Sequence, residues 1–125
     1  MITYYLYSNV GRRDNNEDSV GMTKAGDDFC FVLADGLGGH GKGEEASRIA
    51  VERVIEEFVS AGGASQECLS TSLQNAQDII MQTQRSNIEC RDMKTTCVVL
   101  HIGENSIQWG HVGDSRLYHF YKNKL

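Results

Sequence analysis

The stretch Phe29-Cys30-Phe31-Val32-Leu33-Ala34-Asp35-Gly36-Leu37-Gly38-Gly39-His40-Gly41 decides how this chain is read. Its first six residues are an unbroken apolar run, which predicts a strand with both faces buried, against another sheet on one side and helices on the other. The run stops on a carboxylate followed by glycines. Glycines let the main chain come close to an ion or a phosphate, and a carboxylate beside a free carbonyl offers the hard oxygen ligands that Mg²⁺ or Mn²⁺ takes. One such corner does not make a site.

Two more acidic corners flank it. Arg13-Asp14-Asn15-Asn16-Glu17-Asp18 lies upstream, Gly110-His111-Val112-Gly113-Asp114-Ser115-Arg116 lies downstream, and Thr95-Thr96 opens the strand between. These four motifs, in this order, resemble the metal-dependent protein phosphatases (PPM, type 2C), and Gly38-Gly39-His40 is similar to the form in their bacterial branch. The resemblance runs from Gly11 to Tyr118 and covers the N-terminal half of such a domain. It implies an α/β (α+β) fold, an antiparallel β-sandwich flanked by helix pairs, here cut to roughly its first half as a single partial domain over residues 1–125. It further implies hydrolysis of phosphoserine and phosphothreonine in proteins by a metal-bridging hydroxide, with two or more Mg or Mn ions and a phosphoprotein as substrate.

Carried over residue by residue, the resemblance makes Asp35 the carboxylate that bridges two metals and the Gly36 carbonyl a ligand to one of them. Glu17 and Asp18 ligate directly or hold metal-bound water, and Asp114 serves a further metal. Arg13 becomes the clamp on the substrate phosphate, since a guanidinium fork matches phosphate oxygens; Arg12, next to it, is the alternative. His40 is the proton-transfer candidate, with a pKa near neutrality as its chemical qualification. Arg116 is expected to pair with a nearby acid, and His101, His111 and His119 to serve packing.

Composition narrows the class. The chain has 125 residues, 40% hydrophobic and 23% charged, which suits one small globular domain. A net charge of −5 argues against a general nucleic-acid or anionic-membrane binder, because phosphate backbones are held chiefly by clustered Lys and Arg. Cys30, Cys68, Cys90 and Cys97 form no Cys-x-x-Cys pair and follow no signal peptide, so reduced thiols and a cytoplasmic location are expected. No apolar stretch approaches the length of a membrane span.

Periodicity supplies the remaining elements. Ile2 to Tyr7 and Ser19 to Thr23 read as strands. From Gly43 to Val59 the period becomes helical, with Ala46, Ala50, Val54 and Phe58 on one stripe. Gly62-Gly63 stops that helix and Ser65 caps a second, whose Leu69, Leu73, Ala76 and Ile80 share a face. Thr95 to Ile102, Ser106 to Val112 and Ser115 to Tyr121 then read as an antiparallel meander.

In the family, two further aspartates lie downstream of the Gly-Asp-Ser-Arg motif, and this chain ends at Leu125 before either. The expectation is therefore a half-domain that turns over little unless its other half is supplied, or alternatively a noncatalytic phosphatase-like binding or scaffold module. A half-sandwich is also expected to self-associate, through the Ser115–Tyr121 strand or the sheet edge beside it.

Overall fold

The chain folds as a β-hairpin, a helix pair and a second set of strands that returns to the hairpin. The structure is a computed structural model and describes residues 2–12, 15–38, 42–122 and 124. Strands β1 (Asp18–Ala25) and β2 (Asp28–Leu37) are joined by the two-residue turn Gly26-Asp27, with Gly26 at φ +61°. A left-handed residue in a two-residue turn matches the twist of the strands and fixes their register. Ala25 thus faces Asp28 and, at the far end of the hairpin, Asp18 faces Asp35.

Helices α1 (Lys42–Ala61) and α2 (Gln66–Ser86) follow, as the periodicity predicts. Gly62 and Gly63 both take positive φ at the end of α1, and their amides reach back to the carbonyls of Val59 and Phe58. Ser65 caps α2, its Oγ accepting from the Cys68 amide at 3.0 Å. A 3₁₀ turn over Ile88–Cys90 leads to β3 (Lys94–Thr95), β4 (Cys97–Ile102) and β5 (Ile107–Val112). All ladders are antiparallel, in the order β1-β2-β4-β5, with β3 extending the β4 side of β2.

One face of this sheet carries the core. Cys30, Val32 and Ala34 of β2 and Cys97 and Val99 of β4 pack on Ala50, Val51, Val54 and Phe58 of α1 and Leu69 of α2. Gly21 belongs to this face because a side chain there would strike Val51 and Ile55 of α1. All four cysteines are free and buried. Burial pushes the Cys30 thiol up to about 12 and Cys97 up to about 11, so they pack as small apolar groups.

The opposite face departs from the expectation of burial on both sides. Its middle row crosses all four strands as Met22, Phe31, Leu100 and Trp109, with the Val20, Leu33 and Val98 row on one side and the Phe29, Ile102 and Ile107 row on the other. Leu33 is 41% and Trp109 53% exposed, because among the described residues no second layer of secondary structure covers this face.

The two segments expected as further strands are not strands. Residues 2–10 form no strand or ladder, and Ser115 to Tyr121 contributes only an isolated bridge between Tyr121 and Lys124 among the described residues. A strand needs a neighbour for its backbone hydrogen bonds, and none lies alongside either segment among the described residues. They lean on the open face instead, Tyr4 standing edge-on to Phe31 with ring centroids 5.6 Å apart. The segment expected as one strand over Thr95 to Ile102 is divided at Thr96, for a reason that belongs to the site.

Candidate metal centre

The three acidic corners lie at one end of the sheet. Asp18 and Asp35 are register partners, and the β2 ladders to β3 and β4 run in a single register that sets Thr96 opposite Asp35. The β4–β5 register continues to Gly113, so Asp18, Asp35, Thr96 and Gly113 form a row across the strands with Asp114 next in sequence. Strand alternation then decides direction. Cys30, Val32, Ala34 and Gly36 turn toward the helices, so Asp35 and its partner Asp18 belong to the open face.

Thr96 interrupts the ladder because its side chain replaces a backbone partner. The Asp35 amide donates to Thr96 Oγ1 at 3.1 Å, and the Thr96 amide donates to the Asp35 carbonyl at 2.9 Å. Thr96 Oγ1 also lies 2.5 Å from Ser115 Oγ, tying the loop that carries Asp114 to the backbone of Asp35. Gly113, at φ +92°, comes so close to Thr96 that a side chain there would strike it.

Gly36 is fixed from the other side. A methyl group on it would run into the Gly43 carbonyl in the first turn of α1 and into the Glu17 carbonyl. Its amide donates to that Glu17 carbonyl at 3.1 Å. Ser47, fully buried on α1, donates to the same oxygen at 2.7 Å, with Ser19 Oγ 2.9 Å away. The Glu17 side chain lies against Gly43 at the start of α1, the positive end of the helix dipole. The structure thus separates two neighbours that the sequence groups together: Asp18 opens on the bare face and Glu17 turns to the helix side.

Arg13 and His40 lie outside the described residues. Among the described residues Arg116 pairs with no acid; its guanidinium donates to the Tyr118 hydroxyl at 3.2 Å. Among the described residues no group of three or more His, Cys, Asp or Glu side chains forms a ready metal cage. The donors that do fit a hard cation are the Asp18 and Asp35 pair and the backbone at Gly36. Like charges facing across two strands are unfavourable unless a cation lies between or beside them, and Mg²⁺ accepts one or two carboxylates with water completing its shell.

Comparison with known proteins bears on this geometry. The sequence profile of the protein phosphatase 2C family matches residues 7–123. The chain belongs to that family. It is 33% identical over 119 residues to protein phosphatase PhpP of Streptococcus pneumoniae, covering 90% of this chain and 48% of that protein. It is 30% identical over 112 residues to the serine/threonine phosphatase stp of Listeria monocytogenes, covering 85% of this chain and 44% of the relative. The chain therefore spans about half the length of the curated relatives it matches.

Solved type 2C structures agree. Stp1 from Staphylococcus aureus superposes with a TM-score of 0.73 at 34% identity, over 88% of this chain and 46% of its own. The catalytic domain of PstP in complex with two manganese ions gives 0.72 at 29% identity, over 83% of this chain and 44% of its own. The α/β architecture with an antiparallel sheet and a helix pair is thus that of half a type 2C domain.

Four residues escape a sequence reading of this type 2C site in the roles they hold. Thr96 and Ser115 carry the clamp on Asp35, but a threonine opening a strand and a serine after an aspartate carry no mark of contact across 19 positions of sequence. Gly43 looks like the first residue of a helix and is a point of close approach to β2. Ser47 alone left a signal, a hydroxyl next to Ala46 on the apolar stripe of α1.

Proposed function

We propose that the type 2C domain to which this chain corresponds hydrolyses phosphoserine and phosphothreonine in proteins with the help of Mg²⁺ or Mn²⁺. The observation that carries this reading is the row of Asp18, Asp35, Thr96 and Gly113 at one sheet end, with the Gly36 backbone beside it. Divalent ions bound there would supply an activated water and positive charge against the phosphoryl oxygens. Asp18 and Asp35 would hold them, with the Gly36 carbonyl as a backbone ligand, Asp114 at a further position, and Glu17 bound through its neighbour rather than in the same row. Thr96, Ser115 and Ser47 hold the backbone that carries these groups. Arg13 is proposed to grip the substrate phosphate and His40 to move a proton. The four free thiols and the net charge of −5 favour a reducing cytoplasm and a protein substrate rather than nucleic acid.

A second reading, a noncatalytic phosphatase-like binding module, is favoured by the absence of a third carboxylate beside the Asp18–Asp35 pair among the described residues. Calorimetric titration with Mn²⁺ and a phosphate-release assay on a phosphothreonine peptide separate the two. We expect measurable Mn²⁺ affinity that falls about tenfold or more in Asp35→Asn, the usual scale for a lost metal-site group, and slow Mn²⁺-dependent release by the 125-residue chain. Metal binding with no release selects the binding module. Affinity unchanged in Asp35→Asn refutes the site itself.

A further inference from the structure

Beyond the acidic row, the face of Asp35 carries one more row before the strands end. Leu37 and Lys94 are register partners of β2 and β3, Leu37 two residues on from Asp35 and Lys94 two residues from Thr96. Strand alternation puts them on the same face, about 7 Å further out at about 3.4 Å per residue. Lys94 is exposed, and among the described residues it makes no ion pair. With Arg91 it supplies the positive charge of a cleft of ≈ 520 Å³ that opens beside Leu37 and Gly38.

The backbone under these cations is fixed. Met93, fully buried in a cluster with Ala46, Ile80 and Cys90, accepts a hydrogen bond at its carbonyl from Gln84 Nε2 of α2 at 2.6 Å. Its amide donates to the Cys90 carbonyl at 3.1 Å, and the Arg91 amide donates to the Ile88 carbonyl at 3.3 Å. Lys94 itself is held in the ladder to β2. The nearby acids offset little of this charge. Asp92 lies 3.7 Å from the Arg91 guanidinium with both side chains well exposed, and Glu89 faces Lys42 at 3.8 Å. Exposed pairs of this kind hold weakly, so Arg91 can exchange Asp92 for a carboxylate of another molecule.

We propose, resting on the phosphatase reading above, that Lys94 together with Arg91 selects phosphopeptides carrying an acidic side chain two positions from the phosphorylated residue. An extended peptide repeats its side-chain direction at every second residue, a spacing of about 7 Å at about 3.4 Å per residue. The step from the acidic row to Lys94 has the same length and the same two-residue period. A phosphorylated residue engaged at the row therefore sets the second side chain along over Lys94. In a chain of net charge −5 an acidic peptide meets overall repulsion, and a local pair of cations at the mouth of the site reverses it for that one register. Lys94 acts on the choice of substrate and stands clear of the reacting atoms.

Fluorescence anisotropy with the 125-residue chain and Mn²⁺ tests this. The labelled peptides carry a non-hydrolysable phosphonate in place of the phosphothreonine phosphate, with Asp, Ala or Lys two positions away on its N-terminal or its C-terminal side. On one of the two sides we expect the Asp peptide to bind about fivefold more tightly than the Ala peptide at low salt, the upper scale of an exposed charge pair, with the preference shrinking as salt is added. Lys94→Gln should cut that preference to below about twofold. Lys94→Glu should invert it, so that the Lys peptide binds more tightly than the Asp peptide, a gain that a misfolded variant cannot give. Equal binding of the Asp and Ala peptides, or binding of neither, by a chain that takes up Mn²⁺ would overturn this inference and leave the phosphatase reading standing. A preference unchanged in Lys94→Gln would overturn the role of Lys94, and a chain that takes up no Mn²⁺ and binds no peptide would overturn both readings together.

Discussion

Val32 and Leu33 are neighbours in one strand, yet Val32 is 2% exposed and Leu33 41%. The helix pair packs on the face of Val32, with side chains from both helices and three strands in a single cluster. The face of Leu33 is just as apolar and, among the described residues, is overlain by two segments that form no strand. Hydrophobic pattern therefore says which residues seek burial and leaves open what provides it. The structure also divides labour between the two faces: the covered one supplies stability and sets the strands, and the open one carries the acidic pair.

The largest expected effect breaks the covered face. Phe58 is fully buried against His101, with ring centroids 4.8 Å apart, so Phe58→Ala should cost about 3–5 kcal/mol in urea unfolding, from lost transfer energy and the cavity left behind. A loss below 1 kcal/mol would mean that α1 is not the main support of the sheet.

A smaller effect sharpens the same comparison through His101. It is fully buried on the helix side, and Nδ1 and Nε2 have no hydrogen-bond partner among the described residues, nor does Oε1 of Gln108, its register partner. Burial lowers its pKa from 6.5, opposed in part by the charge of Asp28. The unfolded chain then holds the proton more tightly than the folded one. Stability is fully present above about 6.5 and is lost as pH falls from there through the depressed folded value. His101→Leu should flatten this acid limb and, by removing two unsatisfied buried atoms, raise stability at neutral pH by roughly 1 kcal/mol. Chemical denaturation at several pH values measures both. An acid limb of the same slope in the variant would assign the sensitivity to other groups.

The smallest effect belongs to the open face. Leu33→Thr should change stability by less than about 1 kcal/mol, because the side chain is already 41% exposed and threonine suits a strand. Urea unfolding at a concentration where the chain is monomeric is the check. A loss approaching that of Phe58→Ala would show that the terminal segments cover this face firmly.

Most of the covered face was legible in the sequence. The Ala46, Ala50, Val54 and Phe58 stripe, the Gly62-Gly63 stop and the Ser65 cap are local signals, and each rests on contacts or dihedrals within a few residues. The strand over Phe29 to Asp35 was legible as a strand, but its two-sided burial was not decided by its own residues. Ile2 to Tyr7 and Ser115 to Tyr121 have the composition of strands and no ladder, since pairing is a property of the neighbour. At the acidic end the residues of the row could be named in advance from motifs, whereas the separation of Glu17 from Asp18 follows only from strand alternation once the register is known. The Thr96–Ser115 contact was out of reach because it joins two loops that periodicity does not relate.

The Gly26-Asp27 turn carries a consequence for how this protein can change over generations. Surface turns are ordinarily the most forgiving place for an insertion or deletion. Here the turn sets a register that runs the eight residues of β1 and delivers Asp18 opposite Asp35, roughly 25 Å away at about 3.4 Å per residue. A slip of β1 by one residue would send Asp18 to the helix side and bring Glu17 or Ser19 to the face it left. A single-codon edit in an exposed loop, invisible to any inventory of the acidic residues, would thus act as a lesion at the far end of the hairpin.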